Sequence, residues 1–308
     1  MKILLFGSNG QVGWELQRAL APLGEVVALD ADSPGPLCAD FLKPEALAAT
    51  VRAVAPGLIV NAAAHTAVDL AESEPEHARA INAVAPAVLA REAASLGAWL
   101  VHFSTDYVFD GSGELPQPED TPTAPLNVHG LTKREAEWAI RASGCRHLIL
   151  RTSWVHSARG ENFVRAVLRQ AAQSDHLSVV DDQFGAPTSA ELLADAAVHA
   201  LRAVCSQPAL GGTYHVAAAG VTSRHGCACH AVEFARGLGQ VIRVRPENIF
   251  PVASSARTTT ARRPRNSRLD TRKFQAAFGL VLPPWQTGVE CTLRNLLAQA
   301  GAGRASVA

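Results

Sequence analysis

Apolar and polar positions fall into alternating blocks over the first half of the chain. Ile3 to Phe6 is an unbroken apolar run, the pattern of a strand covered on both faces. From Gln11 the apolar residues take a helical spacing through Trp14 and Leu16. Val26 to Leu29 predicts a second strand that ends at Asp30, Pro44 to Val54 a helix, and Leu58 to Asn61 a third strand. Glu76 to Ser95 reads as one long helix and Trp99 to Ser104 as a fourth strand. Asn127 to Ala142 reads as a helix and His147 to Leu150 as a fifth strand. Strand and helix in turn imply a parallel sheet with right-handed crossovers, its binding residues gathered at the carboxyl ends of the strands. Beyond about residue 155 the pattern loosens, and loops rich in Pro, Thr and Arg appear, above all between Pro251 and Arg268.

The turn between the first strand and the first helix carries Gly7, Gly10 and Gly13, completed by Asn9, Gln11 and Val12. Glycines are needed there for a tight turn, for backbone approach to a pyrophosphate, and for close packing of helix on strand. The unpaired N–H groups of the helix start suit the phosphates. Asp30 lies near the offset at which a carboxylate binds an adenosine ribose diol. Residues 31 to 40 hold no Arg or Lys for a 2′-phosphate, so NADH should bind at least as well as NADPH. Asp40 and Phe41 could flank the adenine, and Ala62, Ala63 and Ala64 leave room for backbone to approach the cofactor. The expected fold class is α/β: a Rossmann-type doubly wound parallel sheet over residues 1–155, joined by strands returning from the second half. Residues 156–308 are expected to form mostly a smaller α/β substrate lobe.

Composition narrows the function classes. Lys+Arg and Asp+Glu balance at 28 each, so no bulk charge points to nucleic acid or an anionic membrane. No leader and no bilayer-length apolar run is evident. Six irregularly spaced cysteines read as reduced thiols of a cytoplasmic protein. Tyrosine is confined to Tyr107 and Tyr214.

The stretch Ser104-Thr105-Asp106-Tyr107-Val108-Phe109 closes the fourth strand, and Pro125 to Lys133 follows with Asn127-Val128-His129-Gly130 inside it. Together with Asn61 to Asp69, Arg151 to Val155, Asp182 to Thr188, and Ala261 to Arg268, these segments resemble the extended short-chain dehydrogenase/reductases. Within them, the resemblance is to the dTDP-4-dehydrorhamnose reductases. The motifs occur in family order over nearly the whole chain. The resemblance implies reduction of the C4 ketone of a dTDP-linked 4-keto-6-deoxyhexose by NADPH or NADH, the last step toward dTDP-L-rhamnose. Thr105 matches the hydroxyl that bonds the carbonyl, and Lys133 the lysine that holds the nicotinamide ribose. The family's proton-donating tyrosine is His129 in this chain. An imidazole is shorter than a phenol, and beside a cationic Lys133 it should be mostly neutral at pH 7. An impaired enzyme is the expectation.

The resemblance further implies that Ser104, Thr105, Asp106 and Trp154 meet the sugar, and that Gln183, Phe184, Arg263 and Asn266 hold the thymidine diphosphate. Arg suits that diphosphate because its forked donors match phosphate oxygens. Arg224 to Cys227 replace an aromatic stretch, and His156 stands where Tyr is usual, so a lid over the sugar should be weakened. His225-Gly226-Cys227-Ala228-Cys229-His230 has zinc-type residues but no second ligand pair, so no metal is assigned there. Glu15 and Glu191 match positions that hold magnesium at a dimer interface in some relatives. Asn295 replaces the third, so magnesium and a homodimer are left open. Two alternatives remain: a non-catalytic NAD(P)-binding regulatory subunit of the same fold, and a reductase or epimerase for a GDP- or UDP-linked sugar.

Overall fold

A computed structural model describes residues 1–305, with side chains described through residue 298. Six parallel strands make the central sheet: β1 (Lys2–Phe6), β2 (Glu25–Leu29), β3 (Leu58–Asn61), β4 (Trp99–Thr105), β5 (Arg146–Thr152) and β6 (Gly212–His215). Their spatial order is β2-β1-β3-β4-β5-β6. The chain therefore reverses direction across the sheet between β1 and β3, and a crevice opens beyond their carboxyl ends.

The unbroken apolar runs follow from helices on both faces. Alternate residues of each strand point to opposite sides. Ile3, Leu5, Val60, Val101 and Leu150 pack with Leu16 and Leu20 and with the Ala190–Ser206 helix. Leu4, Phe6, Ile59, Leu100 and Ile149 pack with Leu47, Val51, Leu89 and Ile140. Gly13 permits the tightest of these contacts, because a Cβ there would fall 1.9 Å from the Gly7 carbonyl oxygen.

The predicted strands are all present, with β4 and β5 extended to Thr105 and Thr152 and β5 beginning at Arg146. The long helix expected over Glu76–Ser95 is interrupted. A helix Pro75–Arg79 passes into a π turn at Ala80–Val84 and then into a helix Ala85–Leu96. The extra residue in that turn lets buried Asn82 bond the backbone of His65 in both directions, N–H to Oδ1 at 2.8 Å and Nδ2–H to the carbonyl at 3.0 Å. Helical periodicity alone carries no trace of such a bulge.

In the second half, the strand Leu177–Val180 pairs in parallel with Ile249–Val252. The helices Phe163–Gln173 and Arg224–Gly237 share a separate core with these strands. β6 returns from this half to pair with β5.

His156 and His215 are buried, and burial lowers both, to about 4 and about 3, with Arg151 adding to the effect on His215. Buried Asp106 is raised to about 6 and acts in the opposite sense below that pH. The unfolded chain takes up histidine protons near the ordinary value of 6.5. Stability is therefore fully present above that pH and is lost as pH falls toward 4. With His129, also buried and lowered to about 4, added to these three groups, urea unfolding at pH 7 and pH 4.5 should show a net loss on the order of 5 kcal/mol. Equal midpoints would mean that the three imidazoles are not shut from water.

Candidate active site

A cavity of about 1060 Å³ opens at the switch between β1 and β3. Gly7, Asn9, Gly10, Gln11 and Val12 form one wall, and Asp30, Asp40 and Phe41 another. Ala62, Ala63 and Ala64 face them from the loop after β3. Gly7 has φ +80°, and a Cβ there would lie 2.6 Å from the Ala63 nitrogen, so only glycine allows the two loops to meet. Asp30 Oδ2 accepts the Asn9 N–H at 2.9 Å, which places a carboxylate at the end of β2 beside the glycine turn. Asp40 is engaged by Lys43 at 3.1 Å and Phe41 packs edge-on to Phe6. A glycine cradle that any side chain would fill, with a carboxylate at its rim, fits a dinucleotide. Gly13 does not line the cavity and serves the packing described above.

The opposite end of the cavity is lined by Ser104, Thr105, Asp106, Tyr107, His129 and Lys133. Two of these come from the helix Val128–Ala142, capped by Asn127, whose Oδ1 accepts the Gly130 N–H at 2.8 Å. The helix start lies so close to the chain after β4 that a Cβ on Gly130 would fall 2.0 Å from the Tyr107 carbonyl oxygen. That approach brings the His129 ring edge-on to Tyr107, centroids 6.0 Å apart. Thr105 Oγ1 donates to Asp106 Oδ1 at 3.1 Å and accepts the Tyr107 N–H at 3.1 Å.

His129 Nδ1 lies 3.0 Å from the His65 carbonyl oxygen. A carbonyl only accepts, so Nδ1 carries the proton and Nε2 is left with a lone pair. Burial, and then the charge of Lys133, lower this imidazole to about 4. It is neutral at pH 7 and has no proton to offer from Nε2. Burial counts for more here than the neighbouring lysine on which the sequence expectation rested.

Lys133 is buried and lowered by burial to about 8. Its Nζ is 3.1 Å from His102 Nε2, and His102 Nδ1 is 3.1 Å from Asn61 Nδ2. Asn61 Oδ1 already accepts the Ala63 N–H at 3.1 Å, which orients the amide. Nδ1 of His102 must then accept, so the proton of its neutral ring faces Lys133. That contact favours the amine over the ammonium, the same direction as burial.

One turn along the helix, Glu137 has no exposed side-chain surface. It accepts Ser104 Oγ–H at 2.7 Å, and Arg151 donates Nε–H and Nη2–H to its two oxygens at 2.8 and 2.7 Å. These charge-assisted bonds hold its carboxyl below the ordinary range, although burial acts in the opposite sense.

A second cavity, about 780 Å³, is rich in arginine: Arg224, Arg257, Arg262, Arg263 and Arg265 line it, with Gln183. Phe163, Arg224 and Arg263 line both cavities, so the two meet there. Arg263 pairs with Asp69. Phe184 and Asn266 line neither cavity. Phe184 exchanges backbone bonds with Arg265 and Ser267, and Asn266 bonds Leu115 and Arg268.

Trp154 has φ +50°, a strained conformation for a bulky residue. Its indole lies against Gly185, where a Cβ would approach to 2.9 Å, and the Arg224 guanidinium sits 3.8 Å over the ring. Of the four positions from Arg224 to Cys227, only Arg224 reaches the cavities. His225 bonds the Ile249 carbonyl, Gly226 takes the Ser223 cap, and Cys227 is in the core. His156 belongs to the core as well, its Nδ1 3.0 Å from Thr292 Oγ1, so it forms no part of a lid. Of the zinc-type residues, Cys229 Sγ lies 3.6 Å from His225 Nε2, but Cys227 is buried in the core and His230 turns to Glu290 at 3.4 Å.

His102, Glu137 and the cavity-spanning position of Arg224 were not assigned roles from sequence. Glu137 left a signal, since His129, Lys133 and Glu137 are spaced by four and share a helix face. His102 left none, being one polar residue in an apolar strand.

The sheet order, the glycine turn and the Thr105–Lys133 wall define a Rossmann-type α/β protein of the extended short-chain dehydrogenase/reductase class. The chain belongs to the family described as RmlD substrate binding domain, which matches residues 1–298. It is 52% identical over 296 residues to the dTDP-4-dehydrorhamnose reductase of Escherichia coli K12, covering 96% of this chain and 98% of the relative. A solved dTDP-4-dehydrorhamnose reductase from Clostridium acetobutylicum superposes with TM-score 0.86 at 32% identity, over 96% of this chain and all of the other (100%). One from Bacillus anthracis, in complex with NADP, gives 0.84 at 29%, over 96% and 99%.

Removing Glu137 would leave Arg151 buried and uncompensated. Glu137→Ala should lose about 3–5 kcal/mol in chemical denaturation. A loss below about 1 kcal/mol would mean that the pair does not anchor the helix.

Proposed function

We propose that this protein reduces the C4 ketone of dTDP-4-dehydro-L-rhamnose to dTDP-L-rhamnose with NADPH or NADH, and does so slowly because His129 stands at the proton donor's position. The observation that carries the reading is the meeting of a dinucleotide-shaped cavity with an arginine-lined one, beside Thr105 and Lys133. Family membership and the names of its relatives support the substrate.

In this reading the glycine turn and Asp30 hold the dinucleotide, which when bound supplies hydride to the ketone carbon. Lys133 bonds the nicotinamide ribose. Thr105 Oγ1 is held by the Tyr107 N–H and turns its single O–H from Asp106 to the ketone oxygen when the sugar binds, and Ser104 is fixed behind it by Glu137. Arg263 and Gln183 take the diphosphate, while Phe184 and Asn266 align the Arg265–Arg268 segment from behind. Residues 156–308, apart from β6, supply most of the nucleotide-sugar lobe. The reaction belongs to the cytoplasm, where six free thiols are at home.

The alkoxide formed on reduction needs a proton. His129 cannot give one at neutral pH, because Nδ1–H is committed to the His65 carbonyl and Nε2 is bare. Water must serve instead, and the loss relative to a positioned acid is about 10²–10⁴-fold. The same observation favours one second reading, a dinucleotide-binding subunit without turnover.

Oxidation of NADH and NADPH with dTDP-4-dehydro-L-rhamnose should run about 10²–10⁴-fold faster in His129→Tyr than in the unchanged chain. Equal and substantial rates would overturn the assignment of the acid. Silence in both, with cofactor still bound, would favour the subunit. Asp30→Asn should shift the NADH-to-NADPH affinity ratio about tenfold toward NADPH. An unchanged ratio in fluorescence titration would leave Asp30 with the loop alone.

A further inference from the structure

Away from the hydride-transfer wall, three side chains of ligand type converge beside the loop that follows β3. His65, Glu74 and His77 each offer one ligand atom, and these atoms all lie within 4.8 Å of one another. The three come from different pieces of local structure. His65 belongs to the loop, Glu74 to the joint between the short helices Val68–Ser73 and Pro75–Arg79, and His77 to the second of these helices.

The arrangement has a rigid base. Asn82, fully buried in the π turn, bonds both the N–H and the carbonyl of His65, so the loop cannot swing this imidazole away. Among the described residues, the Glu74 carboxylate has no ion pair and no side-chain hydrogen bond. Nearby Arg79 is taken by Glu135 and Glu76. A separate observation concerns His65 itself. Its Nδ1 is shut from solvent and has no hydrogen-bond partner. Buried polar atoms in folded proteins are nearly always partnered, so this nitrogen has room in its bonding for a bound ion or water.

Two imidazoles and one carboxylate make a donor set for borderline transition ions. Magnesium and calcium prefer oxygen throughout. Three protein ligands leave one of four tetrahedral positions for water or a small anion. We propose that His65, Glu74 and His77 form a binding site for a divalent ion of the zinc type. The site stands apart from the reading of the enzyme's substrate. It adjoins the dinucleotide cavity, since His77 lines that cavity.

The test is calorimetric titration of the full chain with Zn²⁺, and absorption spectroscopy with Co²⁺ as its stand-in. Glu74 and His77 are both exposed, so Glu74→Gln and His77→Gln should leave the fold intact. One ion per chain is expected, with a nitrogen and oxygen ligand field and no thiolate-to-cobalt charge-transfer band. Each substitution should weaken binding about tenfold or more. Undiminished affinity in both variants would overturn the proposal. So would a thiolate band, which would assign the ion to a cysteine elsewhere, such as Cys229 beside His225 or exposed Cys205 or Cys291, and so would the absence of binding at millimolar Zn²⁺.

Discussion

The candidate active site hangs on the buried carboxylate of Glu137. Its oxygens gather Ser104 from β4 and Arg151 from β5, and Arg141 adds a contact at 3.2 Å from the helix itself. Lys133 and His129 lie one and two turns back along the same face. The contacts of Glu137 therefore set the rotation and height of that helix against the sheet, and with them the direction of the Lys133 and His129 side chains. Desolvating two charges is expensive, and a buried pair of this kind is weak evidence for stability. What it secures is register.

Around this anchor the two imidazoles are kept uncharged. Burial lowers His102, His129 and Lys133 together, and Lys133 acts on both imidazoles in the same direction. A like-charged neighbour in a low-dielectric wall is avoided by giving up protons. The tautomers then follow from fixed carbonyls and amides. Asn61 assigns the proton on His102 and the His65 carbonyl assigns the proton on His129. A phenol at position 129 would keep its proton under the same burial, because desolvation raises an acid that becomes negative and lowers a base that becomes positive. The exchange of tyrosine for histidine thus reverses the effect of an unchanged environment.

The arginine at position 224 changes the neighbouring wall in a comparable way. Its guanidinium covers the ring of Trp154, whose backbone is already strained, and it stands where the two cavities join. The other departures near it are absorbed by caps and core packing. Their distribution could not be foreseen from a list of replaced aromatics, because a helix turns each successive residue through about 100°.

The motif resemblance picked out Thr105, His129 and Lys133, while continuous apolar runs, the glycine spacing and the turn from strand to helix were enough to predict a doubly wound sheet and its dinucleotide crevice. Those are local or periodic properties, and local sterics and two-faced burial write them directly into residue order. Other features depended on tertiary structure: the π turn that places Asn82 under His65, the pairing of Glu137 with Arg151, the proton positions on His102 and His129, and the core burial of His156. Each of these joins groups distant in sequence, and their energies depend on distance and exclusion of water, quantities that no single stretch of chain contains.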